Sequence, residues 1–298
     1  GPAADWSDSY ASGQAIIYGK MVITNGHVDI DGVTGDLNSG HGIKVNSSAQ
    51  PSGTDGIKIY PGTSYVTLAH IEIQGPGHLL TVDNVQSAIY LNSTTNVTDL
   101  NFSYIYIHDM PTDGIVIGHP NGRVVIEHSY FWRMGALTGH PHGQPIHITD
   151  GGGSGIDIRY NTIVDVVGSS FVAMTNNPVD VYSDIRVYGN VLWSTVRNGT
   201  GDGNYFFSPG FVALMTGATT RNILVYNNTF YNIWNVNVNL QGNASGNEIR
   251  NNIYVNSEHQ FLNYGVTSSN NFYYLPSGSN IPSSSEAGRV NGTRSPFV

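Results

Sequence analysis

One short strand pattern, in which a variable residue stands between two apolar residues, recurs along most of this chain of 298 residues. The copies follow one another at intervals of about 24 to 40 residues and span residues 56–59, 88–91, 114–117, 145–148, 171–174, 211–214 and 237–240. No helical periodicity interrupts the series. Repeated units of this kind, each too small to bury its own apolar side, are typical of a solenoid of stacked coils.

Each copy is followed by two further apolar segments, so that one coil contains three strands. The third segments span residues 71–73, 105–107, 130–132, 163–165, 191–193, 230–231 and 253–255. Since hydrogen-bonded strands lie about 4.8 Å apart, about nine coils would form a solenoid roughly 43 Å long. The segment 42–45 is similar to another copy but precedes the next one by only about 14 residues, and we interpret it as an insertion.

Two columns of stacked side chains follow from this arrangement, because side chains alternate between the two faces of a strand. The variable residues form an outward column of Lys58, Tyr90, Val116, His147, Ala173, Ala213 and Asn239. A polar column at the bend after the second strand contains Ser103, Ser129, Asn161, Asn190, Asn228 and Asn252. Asn side chains bond to nearby backbone and to stacked neighbours, so we predict that the polar column is a structural ladder.

Three stretches of these repeats, residues 155–163, 222–230 and 247–253, carry a resemblance to a known fold family. They resemble the right-handed parallel β-helix of the pectate-lyase-like superfamily, and the resemblance covers roughly residues 21–275. It implies an all-β, single-domain, right-handed parallel β-helix. The superfamily includes polysaccharide lyases, glycoside hydrolases, esterases, phage tailspikes and binding proteins, so the fold alone does not name a function.

The two ends of the chain differ from the repeats. We expect residues 1–20 to form an N-terminal cap with an entry strand, residues 21–275 to form the β-helix, and residues 276–298 to leave it as a C-terminal extension. No signal peptide is visible, and the opening Gly1-Pro2 is typical of a protease-cleavage scar. We therefore expect a secreted or cell-surface protein whose signal peptide has been removed.

Composition and charge argue against several classes of protein. The net charge of −9 argues against a nucleic-acid partner, which needs a basic surface to neutralise phosphates. The absence of Cys excludes disulfides, thiolate metal sites and a Cys nucleophile. No run of 18 apolar residues occurs, so we expect no membrane span.

Three connections are long, about residues 74–87, 133–144 and 194–210, and all three precede a copy of the first strand. They must therefore leave the solenoid at the same corner and stand over the same face. Loops longer than about 12 residues are usually functional or disordered. We predict a wall of loops beside the outward column that contains His147.

The middle loop and its neighbours hold a cluster of His and Asp residues, and such a cluster suits proton transfer because His changes charge near neutral pH. For a polysaccharide lyase we expect His142 or His147 as the base and Arg133 or Arg159 on the uronate carboxylate. Asp113 would act as an acid or hold a metal ion. The residues expected to contact substrate are His140, Gln144, Asn176, Arg197 and Tyr205.

Two kinds of metal suit the cluster. Asp113 with Asp150 would bind Ca²⁺ through carboxylate oxygens. His140, His142 and His147 with a carboxylate would instead bind Zn²⁺ through imidazole nitrogens. Asp113 and Asp150 are also the candidate carboxylate pair for glycoside hydrolysis. Short fragments similar to polygalacturonase motifs occur in the wrong order and without an Asp-Asp pair, which argues against that particular enzyme.

The leading hypothesis is a carbohydrate-active enzyme, a polysaccharide lyase or hydrolase, that acts on an acidic polysaccharide in a groove beside residues 133–150. The alternative is a non-catalytic protein: a glycan-binding adhesin or a structural surface protein similar to a tailspike. The small, neutral residues Val116, Ala173 and Ala213 beside His147 favour the alternative.

Overall fold

The structure is a computed structural model of the whole chain. It describes residues 13–34, 40–50, 54–78, 81–82, 87–91, 95–135, 138–139, 143–149, 151–166, 168–174, 179–195, 207–214, 218–233, 238–240, 243–257, 265–274, 286–292 and 296. All regular secondary structure in these ranges is β-strand. They include no helix that could cross a membrane.

Eight parallel strands form a first sheet, one strand for each copy of the recurring pattern and one before them. These strands are β2 (Met21–Ile23), β5 (Ile57–Ile59), β8 (Ile89–Leu91), β10 (Ile115–Gly118), β14 (Ile146–Thr149), β17 (Gly168–Met174), β20 (Phe207–Leu214) and β23 (Val238–Leu240). Each strand pairs with the next in this order, as expected for successive coils. The fold is therefore the predicted parallel β-helix, whereas the number of coils stays a prediction.

A second and a third sheet complete each coil, and they are joined because two strands run through both. The strands shared by the two sheets are β6 (Val66–Gln74) and β9 (Leu100–His108). The second sheet adds β3 (Val28–Asp31), β11 (Asn121–Glu127), β15 (Gly153–Arg159), β18 (Val181–Tyr188), β21 (Thr219–Tyr226), β24 (Asn243–Ser245), β25 (Glu248–Arg250) and β27 (Thr267–Ser269). The third adds β1 (Ala15–Tyr18), β4 (Ile43–Asn46), β12 (Tyr130–Met134), β16 (Thr162–Val166), β19 (Val191–Trp193), β22 (Thr229–Tyr231), β26 (Ile253–Val255), β28 (Phe272–Tyr274) and β29 (Val290–Asn291).

The pairing register of the first sheet confirms that the residues of the predicted column lie opposite one another on adjacent strands, although Val116 within it is only 2% exposed. Val116 is paired with His147, and His147 with Ala173. The same register continues from Lys58 through Tyr90 on one side and to Asn239 on the other. The flanking apolar residues, such as Ile115 and Ile146, are fully buried between the sheets and form one continuous core.

The bend between the second and third sheets confirms the predicted polar ladder. Asn161 accepts a hydrogen bond from Ser129 N, and Asn190 accepts one from Asn161 N, each at 3.0 Å. The ladder continues through Asn228 and Asn252 with the same geometry. The side chains are almost completely buried, so they satisfy backbone N–H groups that water cannot reach.

One sequence interpretation was wrong. The segment 42–45, taken as an insertion, belongs to β4, which pairs with β1 and with the second half of β6 in the third sheet. Its spacing is short because it is the third strand of an early coil rather than another first strand. β1 lies inside the expected N-terminal cap and β29 inside the expected C-terminal extension, and both pair with the third sheet. The division into cap, β-helix and extension stays a prediction.

Candidate functional site

Two of the long loops meet directly. Within them, β7 (Thr81–Val82) and β13 (Thr138–Gly139) form a two-stranded parallel sheet, with Thr138 opposite Thr81. The coil between these loops has only a short connection at the same corner, residues 109–113. The first two loops thus share one edge, as predicted. Residues 196–206 of the third loop lie outside the described residues.

The short connection is buried. Met110, Thr112 and Asp113 are at most 1% exposed. It joins the end of β9 in the third sheet to the start of β10 in the first sheet. Asp109 and Asp113, at its two ends, are at most about 14 Å apart along the chain. The corner thus separates two groups of polar side chains, one on each sheet.

On the first-sheet side, Asp113 and His147 form a pair. His147 Nδ1 lies 3.3 Å from Asp113 Oδ2. Asp113 Oδ1 faces the backbone N–H groups of Gln144 and Gly143, at 3.3 and 3.5 Å. The Asp113 side chain is 2% exposed and that of His147 is 18% exposed. A buried carboxylate therefore orients an imidazole that reaches the outer face of the sheet.

Asp113 occupies a position that repeats from coil to coil, directly before the first strand. The equivalent residues are Asp55, Ser87 and Gln144. Backbone bonds establish the equivalence: Gly56 N donates to the Ser87 carbonyl, Ala88 N to that of Asp113, and Gly114 N to that of Gln144. Asp55 accepts a bond from Ser87 N at 3.3 Å, as Asp113 does from Gln144 N. Burial raises the pKa of Asp55. One carboxylate oxygen of Asp113 thus accepts a backbone hydrogen bond that stabilises the fold, as Asp55 does. Asp113 differs from Asp55 in its contact with His147.

Gln144, which we expected to contact substrate, is 5% exposed. Its backbone N–H faces Asp113 and its carbonyl accepts the bond from Gly114 N at 2.9 Å. The structure therefore brings Asp113, Gln144 and His147 together, with Gln144 in the wall of the site.

The outward column continues from His147 toward a cation and an aromatic ring. Lys58 Nζ lies 5.7 Å from the ring centre of Tyr90 and 6.0 Å from that of Tyr60. The register places Tyr90 two strands and Lys58 three strands from His147. Lys58 is therefore about 14 Å from His147 along the face. Sequence reasoning placed Lys58 and Tyr90 in the outward column but did not predict either of them as a site residue.

Arg133 lies on the third-sheet side of the corner. Its Nε is 3.4 Å from Asp109 Oδ1 and 3.2 Å from Nδ1 of His78 in the first loop. Its guanidinium stands 5.1 Å from the Trp132 ring. Burial, and then the charge of Arg133, lower the pKa of His78. The structure groups Arg133 with third-sheet residues and does not bring it to His147.

A chain of charged groups extends from this cluster across the third sheet. The ring nitrogens of His108 face Asp109 Oδ2 at 2.9 Å and Glu72 Oε1 at 3.1 Å. Glu72 also accepts a bond of 2.5 Å from Lys44. The bond from His108, followed by that from Lys44, lowers the pKa of Glu72 to about 2. Sequence reasoning missed this network, because the interpretation of β4 as an insertion removed Lys44 from the third sheet.

Arg159, the other expected carboxylate ligand, lies on the outer face of the second sheet. Its Nε donates to Glu127 Oε2 at 2.6 Å and its Nη1 to the Tyr188 hydroxyl at 2.9 Å. These contacts raise its pKa further, with the largest effect from Tyr188. Arg159 therefore does not belong to the group around His147.

Several expected site residues cannot be placed relative to this geometry. His140, His142, Asp150, Asn176, Arg197 and Tyr205 all lie outside the described residues. Their expected roles stay predictions.

The calcium role that we expected for Asp113 with Asp150 stays a prediction, because Asp150 lies outside the described residues. Both carboxylate oxygens of Asp113 face N–H groups or an imidazole nitrogen. In the part of the chain that the structure describes, no three His, Asp or Glu residues form a group that could hold a metal ion.

Comparisons with known proteins give only distant likenesses. No protein-family model and no curated protein sequence matches the chain. Among solved structures, DFA-IIIase from Arthrobacter chlorophenolicus A6, without its lid, matches over 93% of this chain and 79% of its own, with 15% identity and a TM-score of 0.34. The A-modules of the mannuronan C-5 epimerases AlgE6 and AlgE4 from Azotobacter vinelandii match over 97% of this chain and 93% and 91% of theirs. Their identities are 13% and 12%, and both TM-scores are 0.20. Likeness at this level carries no argument, and the fold rests on the strand pairing itself.

Proposed function

We propose that this protein is a carbohydrate-active enzyme, a lyase that cleaves an acidic polysaccharide on the outer face of the first sheet. The observation that carries the proposal is the pair of His147 and the buried Asp113. In this proposal the protein is secreted or on the cell surface, where such polymers occur.

His147 would be the base. Asp113 faces Nδ1, so the tautomer with the proton on Nδ1 is favoured and the lone pair lies on Nε2. In the reaction Nε2 takes the C5 proton of a uronate, a C4–C5 double bond forms, and the C4–O bond breaks. The departing oxygen takes a proton from solvent. A positioned base of this kind typically contributes about 10² to 10⁴ in rate.

The residues beside His147 in the outward column differ in exposure. Ala173 has a short, partly exposed side chain, whereas Val116 is only 2% exposed. In this proposal the sugars therefore contact His147 and Ala173, and they meet the column again beyond Val116. Tyr90 offers a ring face on which a sugar can stack, and Lys58 supplies a positive charge for a uronate carboxylate. Because Lys58 is about 14 Å from His147, it would bind the carboxylate of a uronate farther along the polymer and not that of the uronate at the base.

Hydrolysis has less support than elimination. A glycosidase needs two carboxyl groups beside the scissile bond, about 5 to 9.5 Å apart. The outward column contains no carboxylate, and the carboxylate nearest to His147 among the described side chains, that of Asp113, is buried behind the imidazole. The base on this face is an imidazole, which suits removal of a C–H proton.

The test is a screen of uronate polymers for unsaturated products, followed by variants. We expect turnover by the wild type and a loss of about 10²-fold or more in His147→Gln and in Asp113→Asn, since each removes the oriented base. Lys58→Gln should raise KM more than it lowers kcat. Arg250→Gln, on the second sheet, is the matched control and should keep wild-type activity.

Two results would overturn the lyase proposal. One is the absence of unsaturated products from every uronate polymer. The other is undiminished turnover in folded His147→Gln. Binding of a glycan without turnover, unchanged by this substitution, would support the non-catalytic alternative instead.

A further inference from the structure

The outer face of the second sheet holds five of the nine arginines of an acidic protein. These residues are Arg123, Arg159, Arg186, Arg221 and Arg250. Because the first-sheet site uses none of them, this face raises a separate question about binding.

A groove lies at the centre of this face. Its volume is about 570 Å³, within the range of ligand-binding clefts. Three adjacent strands each contribute one residue to the groove at the same position, directly before the paired core residues Val124, Ile156 and Ile185. The contributed residues are Arg123, Gly155 and Asp184. Gly155 has no side chain and a φ of +70°, and a Cβ at this position would lie 2.5 Å from the carbonyl oxygen of Gly122. The groove therefore opens between Arg123 and Asp184 because only glycine fits between them.

The walls of the groove carry donors and acceptors in near balance. Arg186 makes two parallel bonds to the Asp157 carboxylate, at 2.5 and 2.7 Å, and Arg159 is paired with Glu127. Arg123 is exposed and has no hydrogen-bond or ion-pair partner among the described residues. Asp184 accepts a bond from Asn222 at 3.1 Å. The lining thus presents guanidinium N–H groups and carboxylate oxygens side by side, with little net charge.

Apolar surface lies at both ends of the Asp157–Arg186 pair. The strand register places Val125 on one side of the pair and Leu224 on the other, and the Gly155 backbone adds to this surface. A β-bulge between Asn121 and Val124 shifts the strand that carries Arg123 at the rim. Bulges are frequent beside functional sites, where they change the direction of a side chain.

We propose that this groove is a second, non-catalytic site that binds a neutral, hydroxyl-rich sugar unit of a glycan chain. Each hydroxyl is both a donor and an acceptor, so it matches a wall on which Arg123 and Arg186 donate while Asp157 and Asp184 accept. The C–H faces of a sugar ring match the apolar surface of Val125, Leu224 and the Gly155 backbone. Asp157 and Asp184 disfavour a carboxylated or sulfated sugar at the same position.

This site does not depend on the proposed lyase activity. It lies on the second sheet, whereas His147 lies on the first sheet, so the two faces can be tested separately. Loss of one function by substitution would leave the other intact.

The experiment measures binding of neutral oligosaccharides of glucose, xylose, mannose and galactose to His147→Gln, in which turnover is removed. We expect binding of at least one of these probes, and a loss of about tenfold or more when Arg123→Gln or Asp184→Asn is added. The matched control is Arg221→Gln, an exposed arginine on the same face that does not line the groove. It should bind like the parent.

Salt provides an independent readout. Binding of an uncharged sugar should change little between low and high salt, whereas ionic binding weakens because salt screens charges. The proposal is overturned if none of the neutral probes binds, if folded Arg123→Gln and Asp184→Asn bind like the parent, or if only uronate oligosaccharides bind and salt releases them. Thermal melting of each variant separates loss of the site from loss of the fold.

Discussion

Asn228 illustrates how a single buried side chain holds neighbouring coils together. Its Oδ1 accepts bonds from both N and Nδ2 of Asn190, each at 3.0 Å. Its Nδ2 donates to the Val187 carbonyl at 2.9 Å and to Asn252 Oδ1 at 3.0 Å. All of these groups are inaccessible to water, so each bond lost leaves a polar group without compensation.

At the residue scale, we therefore expect Asn228→Ala to lower the free energy of unfolding by about 3 kcal/mol or more, since it leaves more than one buried group unsatisfied. The measurement is chemical denaturation. Asn243→Ala, at an exposed position of β24, is the control and should change stability by less than about 0.5 kcal/mol. Equal effects at both positions would show that the ladder does not stabilise the fold.

At the residue scale, Asp113 has two candidate roles: it stabilises the backbone or it orients His147. Asp55, at the equivalent position of an earlier coil, shows that a carboxylate there can bind the backbone alone. The predicted loss of turnover in Asp113→Asn, with the stability largely retained because the amide oxygen still accepts the bond from Gln144 N, would assign it a positioning role toward His147. If Asp113→Asn lost stability and activity together, the role of Asp113 would be structural.

At the scale of elements, the third sheet is stabilised by charges that lie on different strands. Lys44 on β4, Glu72 on β6 and His108 on β9 are in contact across neighbouring coils. The lowered pKa of Glu72, about 2, means that the folded protein holds the charged carboxylate more strongly than the unfolded chain does.

We expect the stability contributed by Glu72 to be fully present above its ordinary pKa of 4.5. It should be lost as the pH falls toward about 2, because the carboxylate is then protonated in the folded state as well. Glu72→Gln should be less stable than the wild type near neutral pH, and this difference should shrink between pH 4.5 and 2. Urea unfolding at several pH values measures it. A difference that stays constant with pH would contradict the assignment.

At the scale of the whole molecule, the protein is a stack in which each coil contacts mainly its neighbours. Phe230, Tyr254 and Tyr273 stack inside the core with ring centres 4.8 Å apart and planes within 7°. The interaction repeats at the strand spacing, so stability is nearly a sum of local terms between adjacent coils.

Phe230→Ala should therefore lower stability by about 3 to 5 kcal/mol, the usual effect of removing a buried aromatic ring. We expect hydrogen exchange to accelerate in the strands around β22 and β26 first and to change little near β5 and β8. The control is Tyr231→Ala, at an exposed position of the same strand, which should have a small effect. Uniform acceleration along the chain would show that the stack unfolds as one unit.

The sequence by itself determined the parallel β-helix, the outward column and the polar ladder. These features depend on the alternation of side chains along a strand and on a fixed repeat length, and both are local properties. The same reasoning put Asp113 and His147 in one neighbourhood, because the segments that contain them stand at equivalent positions of adjacent coils.

Only the tertiary structure decided which side chains of that neighbourhood are in contact and which belong to another sheet. Three features depend on where each coil turns: the pairing of the two loops through β7 and β13, the contact of Arg133 with Asp109, and the contact of Arg159 with Glu127. A turn of one residue more or less moves a side chain to a different face, and no local pattern records it. For the same reason β4 could be recognised as a third strand only from its partners.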